Sequence, residues 1–294
     1  MEAANKIAII TDTCCDLPQE YLKEYPIFCV PLVVTSGTES YRDNIDITVE
    51  TIYARQKNEN FKTSLPRPQD IEDVYSAIAR QGYTHVIVLM IAECLSSANN
   101  LMRLAAGEHP ELTVKVFDSK SASIGLGALA VQVARYAVRG VAFDPLCELT
   151  KRLIDDTVVY FSLDTRESLQ RGGRIGRATA LAGGLLQIKP ILTFDRKDGM
   201  ISTAAKVRGR RGVQQRLIEL ATELAAKHPG EEYNLVVCDG NVPEEGAALE
   251  AALTRALPNA HRVLHGKIDA TLAVHLGPNL LGVGVQFLNS KLPA

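Results

Sequence analysis

Short apolar runs alternate with amphipathic segments through the first half of this 294-residue chain, and that alternation restricts the folds it can adopt. The clearest run, His85–Ile91 (HVIVLMI), has the nearly continuous apolar character of a parallel strand buried on both faces. Similar runs are Lys6–Asp12, Ile27–Val34 and Val114–Ser119. Helical segments are expected at Thr48–Glu59, Pro68–Gln81, Ser96–His109 and Ser123–Arg139. This order predicts a parallel sheet with helices on both faces.

The second half carries a different signal, because a hairpin stands beside strand–helix units. Asp198-Gly199 is a turn signal between the apolar runs Pro190–Asp195 and Met200–Val207. Five apolar side chains then recur on one helical face: Val213, Leu217, Leu220, Ala221 and Leu224. A helix is expected at Glu244–Ala256, and strands at Val158–Asp164, Asn234–Asp239, Arg262–His265, Leu272–His275 and Leu281–Phe287. These elements predict a mixed sheet with helices.

The chain length suits two domains, since one domain usually has roughly 100–200 residues. The first pattern gives way to the second near Asp155–Thr157. We therefore predict an α/β protein of two α/β domains. The N-terminal domain, residues 1–156, has a parallel sheet, and the C-terminal domain, residues 157–294, has a mixed sheet.

Composition excludes several classes of protein. Hydrophobic residues make up 46% of the chain and charged residues 22%, which is typical of a globular protein and not of a disordered one. The 32 basic and 34 acidic residues give a net charge of −2, and aromatic residues are only 5%. Neither a phosphate-binding surface nor a base-stacking platform is therefore indicated, and we expect no nucleic-acid partner.

Membrane and export signals are also weak. Met1–Lys6 lacks the basic start and the long apolar run of a signal peptide. The longest stretch without a charged side chain, Ala270–Ser290, contains Gly277-Pro278 and is interpreted as two strands around a turn, not as a membrane helix. We expect a cytoplasmic protein without integral membrane association.

Motifs for common catalytic sites are weak or missing. Gly125-x-Gly127-x-x-Ala130 has the spacing of a dinucleotide-binding loop, but it lies inside a predicted helix, so close helix packing is the better interpretation. The sequence has no P-loop, no G-x-S-x-G nucleophile elbow and no H-E-x-x-H zinc motif. For Asp43 and Asp46, turn and cap roles are favoured over a metal site. We predict no catalytic residue, metal or cofactor.

The six cysteines include no C-x-x-C pair. Adjacent Cys14-Cys15 could be redox-active, but buried free thiols in a reducing compartment are the favoured interpretation. Asp16, next to them, is a candidate cap for a helix that Leu17-Pro18 opens.

Small hydroxyl side chains stand where helices are expected to begin. Thr63-Ser64-Leu65-Pro66 lies between two predicted helices, and Ser96-Ser97 follows the strand His85–Ile91. Each pair has a simple N-capping interpretation, because helix N-termini expose unpaired backbone amides. Two such pairs in one parallel domain also favour a polar ligand site at the carboxyl ends of the strands. His275, at the end of a predicted strand, can give an N–H to a carboxylate.

Two basic runs remain unexplained by these elements. The first is Arg171-Gly172-Gly173-Arg174-Ile175-Gly176-Arg177, and the second contains Lys206, Arg208, Arg210 and Arg211. Guanidinium groups beside glycine backbone amides suit phosphates and carboxylates. A site for an anion or acidic partner and a solvated charged loop both stay open.

Together these segments resemble the DegV family of bacterial fatty-acid-binding proteins, in order along nearly the whole chain. The segments that carry the resemblance are Thr11–Leu17 (TDTCCDL), Tyr41-Arg42-Asp43, Thr63–Pro66 (TSLP), Leu95-Ser96, Asp118-Ser119, Leu169–Ile175 (LQRGGRI), Leu186–Leu192 (LQIKPIL), Asp198-Gly199, Lys206–Arg208 and His275–Pro278 (HLGP).

The resemblance implies a non-enzymatic lipid carrier with a long-chain fatty acid in an apolar cavity between the two domains. Thr63, Ser96 and His275 would hold the carboxylate, with Ser64 as a possible helper. Some family members present the bound acid to a separate fatty-acid kinase subunit. Arg174 would then lie at the mouth of the site or on the surface that docks the kinase.

Three departures from the family pattern affect the expected site. Glu93 precedes Cys94-Leu95-Ser96 and would repel a carboxylate if it faced the ligand, and Ala98 stands where the family has a hydroxyl. The family's "HAGN" segment is replaced by Cys238-Asp239-Gly240-Asn241. The alternative hypothesis is a phosphotransferase component that acts on a lipid or a small hydroxy or keto substrate, with Arg174 and Arg208 binding phosphate. A DNA-associated protein is a weaker third hypothesis.

Overall fold

The computed structural model describes residues 6–164, 167–181 and 188–288. The prediction that residues 1–5 begin no signal peptide lies outside these ranges, as does Leu186-Gln187 of the LQIKPIL segment.

The described residues form thirteen strands: β1 (Ile7–Asp12), β2 (Ile27–Val30), β3 (Val33–Ser36), β4 (Glu39–Arg42), β5 (Phe61–Ser64), β6 (His85–Met90), β7 (Thr113–Asp118), β8 (Thr157–Ser162), β9 (Ile188–Phe194), β10 (Ile201–Arg208), β11 (Tyr233–Asp239), β12 (Arg262–Lys267) and β13 (Leu281–Phe287). They also form ten α-helices: α1 (Gln19–Glu24), α2 (Val49–Arg55), α3 (Pro68–Arg80), α4 (Ala98–Ala106), α5 (Ile124–Val138), α6 (Phe143–Asp155), α7 (Glu167–Arg171), α8 (Gly209–Ala226), α9 (Pro243–Ala256) and α10 (Ala270–Leu276). Short 3₁₀ turns lie at Thr13–Cys15 and Gly176–Leu181.

The first sheet is parallel, in the order β2-β1-β6-β7. Every residue of β1 is buried, and His85 is the only residue of β6 that is not, as expected for strands covered on both faces. The helices α3 and α4 pack on one side of this sheet and α5 on the other. This confirms the predicted parallel sheet with helices on both faces.

The second sheet is mixed and has six strands in the order β10-β9-β8-β13-β11-β12. Antiparallel β9 and β10 form the predicted hairpin around Asp198-Gly199, and only β11 and β12 run parallel. The helices α8 and α9 cover one face, where the apolar side of α8 is buried as its periodicity predicts. The predicted mixed sheet with helices is therefore confirmed.

The helix α5 lies between the two sheets and contacts strands of both, including β1, β8 and β11. All but its last two residues are buried, because neither side faces solvent. A Cβ atom at Gly127 would lie 2.4 Å from the Cys15 carbonyl oxygen, and one at Gly125 would lie 2.8 Å from Val159 Cγ1. These glycines serve close helix packing, as predicted. One apolar core joins both sheets through α5, so the division at residue 156 stays a prediction.

A three-stranded antiparallel sheet, β4-β3-β5, was not expected. The predicted single strand Ile27–Val34 is wrong, because the chain breaks at Pro31-Leu32 and β3 leaves the parallel sheet. Thr63 and Ser64 lie on β5 and not in a connection between helices. The helix α6 was also missed.

The predicted strand Leu272–His275 is wrong as well. This segment is the short helix α10, whose N-cap Asp269 accepts a hydrogen bond from the Leu272 N–H at 2.6 Å. Five of its seven residues are buried, and the other two are half-buried. So short a segment shows no amphipathic period that would separate a helix from a strand. The same correction applies to the uncharged stretch Ala270–Ser290, which holds one helix and one strand in its described part.

Candidate functional site

A cavity of about 320 Å³ lies against the six-stranded sheet. The strands β8, β9, β11 and β13 line one side of it, and residues 122–125 and α10 line the other. The polar segments predicted to border it all contribute, through Thr63 to Leu65, Leu95 to Ser97 and His275 to Leu276. Most of the remaining lining is aliphatic or aromatic, so the cavity is apolar with polar groups from a few short segments.

Thr63 and His275, 212 positions apart in the chain, meet at the cavity wall. Thr63 Oγ1 lies 2.7 Å from His275 Nε2, a hydrogen-bond distance. β5 supplies the threonine, and the last turn of α10 supplies the histidine. The structure thus brings together two of the three residues that the resemblance assigns to the carboxylate, while their role in binding stays a prediction.

His275 is held neutral at physiological pH. Burial, with a smaller contribution from the positive charge of Arg174, lowers the pKa of His275 from 6.5 to about 4. Its Nδ1 atom is buried and has no hydrogen-bond partner among the described residues. A neutral imidazole has one donor nitrogen and one acceptor nitrogen, so this side chain keeps hydrogen-bonding capacity beyond its contact with Thr63.

Ser96 lines the same cavity from the turn before α4. Its Oγ accepts a hydrogen bond from the Ala98 N–H at 3.3 Å. The helix begins at Ala98 and not at Ser96, and its N-cap Ser97 makes no side-chain capping bond. The hydroxyl hydrogen of Ser96 is therefore available for a second partner.

Ser64 and Arg174 also line the cavity, and both are exposed. Arg174 donates from Nε to the Leu95 carbonyl at 3.3 Å and from Nη1 to the Gly172 carbonyl at 2.6 Å. Gly173, just before it, has a φ of +72°, a conformation that favours glycine. Arg174 thus stands where the cavity meets solvent, whereas Arg208 of the alternative phosphate-binding hypothesis does not line the cavity.

Glu93 does not line the cavity. Its carboxylate pairs with Arg103 of α4, and its backbone N–H donates to Asp118 Oδ1 at 3.0 Å. The concern that Glu93 repels a bound carboxylate therefore has no geometric basis.

The apolar end of the cavity depends on residues that no sequence motif marks for this role. Gly282 of β13 pairs with Phe161 on one side and Cys238 on the other, and all three line the cavity. A Cβ atom at Gly282 would lie 2.6 Å from Cys238 Sγ. The rings of Phe161 and Phe194 pack against each other with their centres 5.5 Å apart and their planes tilted by 32°. The bare glycine backbone leaves room between larger neighbours.

Among residues 6–164, 167–181 and 188–288, no group of three or more His, Cys, Asp or Glu side chains has an arrangement that could hold a metal ion. Cys14 and Cys15 are buried free thiols, as expected. No helix in the described part of the chain is long and apolar enough to cross a membrane.

The chain is similar to proteins of one known family over nearly its whole length. The family model described as DegV, a family of uncharacterised proteins, matches residues 6–288. The chain belongs to the DegV family. A DegV domain-containing protein of Clostridium perfringens is 33% identical over 281 residues, which cover 96% of this chain and 98% of that protein.

Two solved structures superpose closely on the chain. A DegV family protein from Thermus thermophilus, described with fatty acid binding, has a TM-score of 0.88 at 30% identity. The match covers 96% of this chain and 100% of that one. A stearic acid-binding protein from Eubacterium ventriosum has a TM-score of 0.88 at 27% identity, covering 97% of this chain and 100% of its own. The predicted family is confirmed.

Proposed function

We propose that this protein binds a long-chain fatty acid in this cavity. The observation that carries the proposal is an apolar cavity with the Thr63–His275 pair, a hydroxyl and a neutral imidazole, in its wall. Ser96 adds a second hydroxyl, and Ser64 is a possible helper. DegV relatives described as fatty acid-binding proteins support the choice of ligand.

The energetics suit an amphiphilic acid. Each buried methylene contributes ~0.8 kcal/mol before the costs of binding, so a long acyl chain supplies a large driving force. A buried carboxylate must find hydrogen-bond donors, and each such bond to a charged group contributes ~1.5–3 kcal/mol. The hydrogen bond between Thr63 and His275 uses the hydrogen of one of these two groups. The pair therefore offers one donor and Ser96 offers a second, which matches the two oxygens of one carboxylate.

The proposed role is that of a carrier and not of an enzyme. The chain would present its bound acid to a separate fatty-acid kinase, which would transfer a phosphoryl group to the carboxylate and form an acyl phosphate. Arg174 is the proposed docking residue, because it lies at the exposed edge of the cavity on a glycine-containing loop.

Native mass spectrometry of protein purified from cells tests the ligand, and calorimetry with palmitate and methyl palmitate tests the headgroup. We expect a co-purifying fatty acid and palmitate binding at least ~10-fold tighter than that of the ester, since one lost charged hydrogen bond has that effect. Equal affinity for acid and ester would disprove the proposed carboxylate site.

Arg174→Ala tests the docking role in the presence of a fatty-acid kinase and ATP. We expect palmitate affinity to change less than ~3-fold, within the range of a surface substitution, while acyl phosphate formation slows. The matched control is Arg196→Ala, an exposed arginine in the β9–β10 turn that does not line the cavity. Equal loss of binding and phosphorylation would contradict a docking role.

A further inference from the structure

Two of the segments that carry the family resemblance supply no cavity residue. None of Thr11–Leu17 and none of Tyr41–Asp43 lines the cavity. Their aspartates are nevertheless buried: Asp12 and Asp43 are 0% exposed and Asp16 is 6% exposed. Buried carboxylates are costly unless they are well paired, so these side chains need a structural partner.

For Asp43 that partner is the amino end of α10. Asp43 Oδ1 accepts from the Ala270 N–H at 3.2 Å, and Oδ2 accepts from the Thr271 N–H at 3.0 Å. These are the first two amides of the helix, which have no partner within it. Asp43 is therefore not a cap of its own loop, as the sequence suggested, but a cap of a helix more than 220 positions away.

Asp16 holds the residue before the same helix. Its Oδ1 accepts from the Asp269 N–H at 2.8 Å, while its Oδ2 accepts from the Ser123 hydroxyl. It does not cap α1, whose N-cap is Pro18. With Asp269 capping Leu272, three carboxylates fix four consecutive backbone amides, Asp269 to Leu272.

No cation shares this task in the described part of the chain, since Asp16, Asp43 and Asp269 form no ion pair with lysine or arginine there. Backbone N–H groups and the positive end of the helix dipole are their main stabilising partners. The position of α10 therefore depends on these specific hydrogen bonds and not on an interchangeable ion pair.

The helix transmits that position to the cavity. α10 has seven residues, and Thr271, Leu272, His275 and Leu276 all line the cavity. His275 lies only five residues after Ala270, about 7.5 Å along a helix that rises 1.5 Å per residue. Loss of the caps at one end is expected to displace the imidazole at the other.

We propose that Asp43 and Asp16 are positioning residues of the ligand site, which hold α10 so that His275 stays against Thr63. The inference rests on the proposed function, because it assigns these residues to the binding of the same carboxylate.

The test compares Asp43→Asn with Asp12→Asn. Asp12 is an equally buried aspartate that also accepts two backbone N–H bonds, from Cys14 at 2.9 Å and Ile91 at 2.7 Å, but neither donor belongs to α10. Asparagine has one acceptor where aspartate has two, so each variant loses one bond of the same kind. We expect Asp43→Asn, and not Asp12→Asn, to weaken palmitate binding by ~10-fold or more, as loss of a residue that orients a ligand-binding side chain does.

NMR titration of the ligand-free proteins measures the pKa of His275. A general loss of folding stability does not change this pKa as long as the protein stays folded. We expect the pKa of His275 to rise from about 4 toward its usual 6.5 in Asp43→Asn, because a displaced imidazole is better hydrated. Removal of the Asp43 charge alone would lower the pKa of His275. The direction of the pKa change therefore distinguishes loss of a charge from displacement of the imidazole. Asp12→Asn should leave the pKa of His275 near its wild-type value.

A second pair keeps the test decisive if Asp43→Asn does not fold. Asp269→Asn preserves an N-cap acceptor for the Leu272 N–H, whereas Asp269→Ala removes it. The inference requires the alanine variant to lose palmitate affinity and the asparagine variant to retain it. The inference is overturned if Asp43→Asn keeps the wild-type pKa of His275 and the wild-type palmitate affinity. It is also overturned if the two Asp269 variants bind palmitate equally well.

Absence of fatty-acid binding by the wild type would instead overturn the proposed function. The NMR titration of His275 would still test the positioning role in that case.

Discussion

The polar part of the cavity wall and its apolar part are built in different ways. The polar groups come from β5, the turn before α4 and the seven-residue α10, none of which belongs to a large sheet. The apolar part is the face of the six-stranded sheet around Gly282, together with the start of α5. The proposed contacts to a carboxylate thus come from short elements held by long-range polar contacts, and the proposed space for an acyl chain comes from regular secondary structure.

This difference predicts two kinds of substitution. A change in the polar part should discriminate between an acid and its ester, because only the acid carries the charge that the hydroxyls and His275 meet. A change in the apolar part should affect acid and ester alike and depend on chain length, because methylene burial is insensitive to the headgroup.

The largest effect is expected from Ser96→Ala and Thr63→Val. Each removes one hydroxyl and should weaken palmitate binding by ~1.5–3 kcal/mol, about 10- to 100-fold, while methyl palmitate loses little. Calorimetry with both ligands measures the difference. Thermal unfolding of the ligand-free variants is the control and should change little. Unaltered palmitate affinity in both variants would show that the headgroup binds elsewhere.

The next prediction concerns the free energy of unfolding at acid pH. His275 has a pKa of about 4 when folded and near 6.5 when unfolded, so the unfolded chain binds the extra proton between these values. The free energy of unfolding should therefore fall as the pH falls from 6.5 to 4, by about 3 kcal/mol for this residue.

The measurement is chemical denaturation of the wild type and His275→Gln across that pH range. The difference between the two proteins isolates His275 from Asp12, for which burial raises the pKa to about 7. The stabilising contribution of Asp12 is lost in the opposite direction, as the pH rises from 3.8 to 7. Parallel pH curves for the two proteins would contradict a buried neutral His275.

In the apolar part, Cys238→Leu should shorten the preferred acyl chain. The larger side chain fills space beside Gly282 and displaces about two methylenes, which costs ~1.6 kcal/mol for the longest chains and less for shorter ones. A chain-length series of acids and methyl esters measures this, and both series should shift together. A shift confined to the acids would mean that Cys238 acts on the headgroup.

The smallest effect is expected from Glu93→Ala. Glu93 lies outside the cavity and pairs with Arg103, and an exposed ion pair contributes ~0–1 kcal/mol to folding stability. Palmitate affinity should match that of the wild type. Tighter palmitate binding in this variant would show that Glu93 faces the ligand after all.

Local sequence patterns predicted the strands of both sheets well, because those strands bury side chains on a regular period. Leu281–Phe287 and the β9–β10 hairpin lie where the apolar runs and the Asp-Gly turn placed them. The same reasoning failed at Leu272–His275. Every residue of this segment is at least half-buried, so the sequence shows no amphipathic period there.

The candidate site shows the same limit. Thr63, Ser96 and His275 were singled out from the sequence, through hydroxyls near expected helix starts and through the family resemblance. The elements that carry Thr63 and His275 were both predicted wrongly. No sequence pattern marks the cavity-lining role of Gly282, Phe161 and Phe194. An apolar strand residue gives the same local pattern whether it faces a packed core or a cavity.

The sequence by itself determined the α/β class, the two kinds of sheet and the family, because periodic burial and turn chemistry are local properties. Only the tertiary structure decided that α5 is shared by both sheets, that Thr63 meets His275, and that Asp16 and Asp43 cap α10. These contacts join residues more than 200 positions apart or elements of different sheets. Their partners are backbone amides and single side-chain atoms, which leave no pattern along the chain.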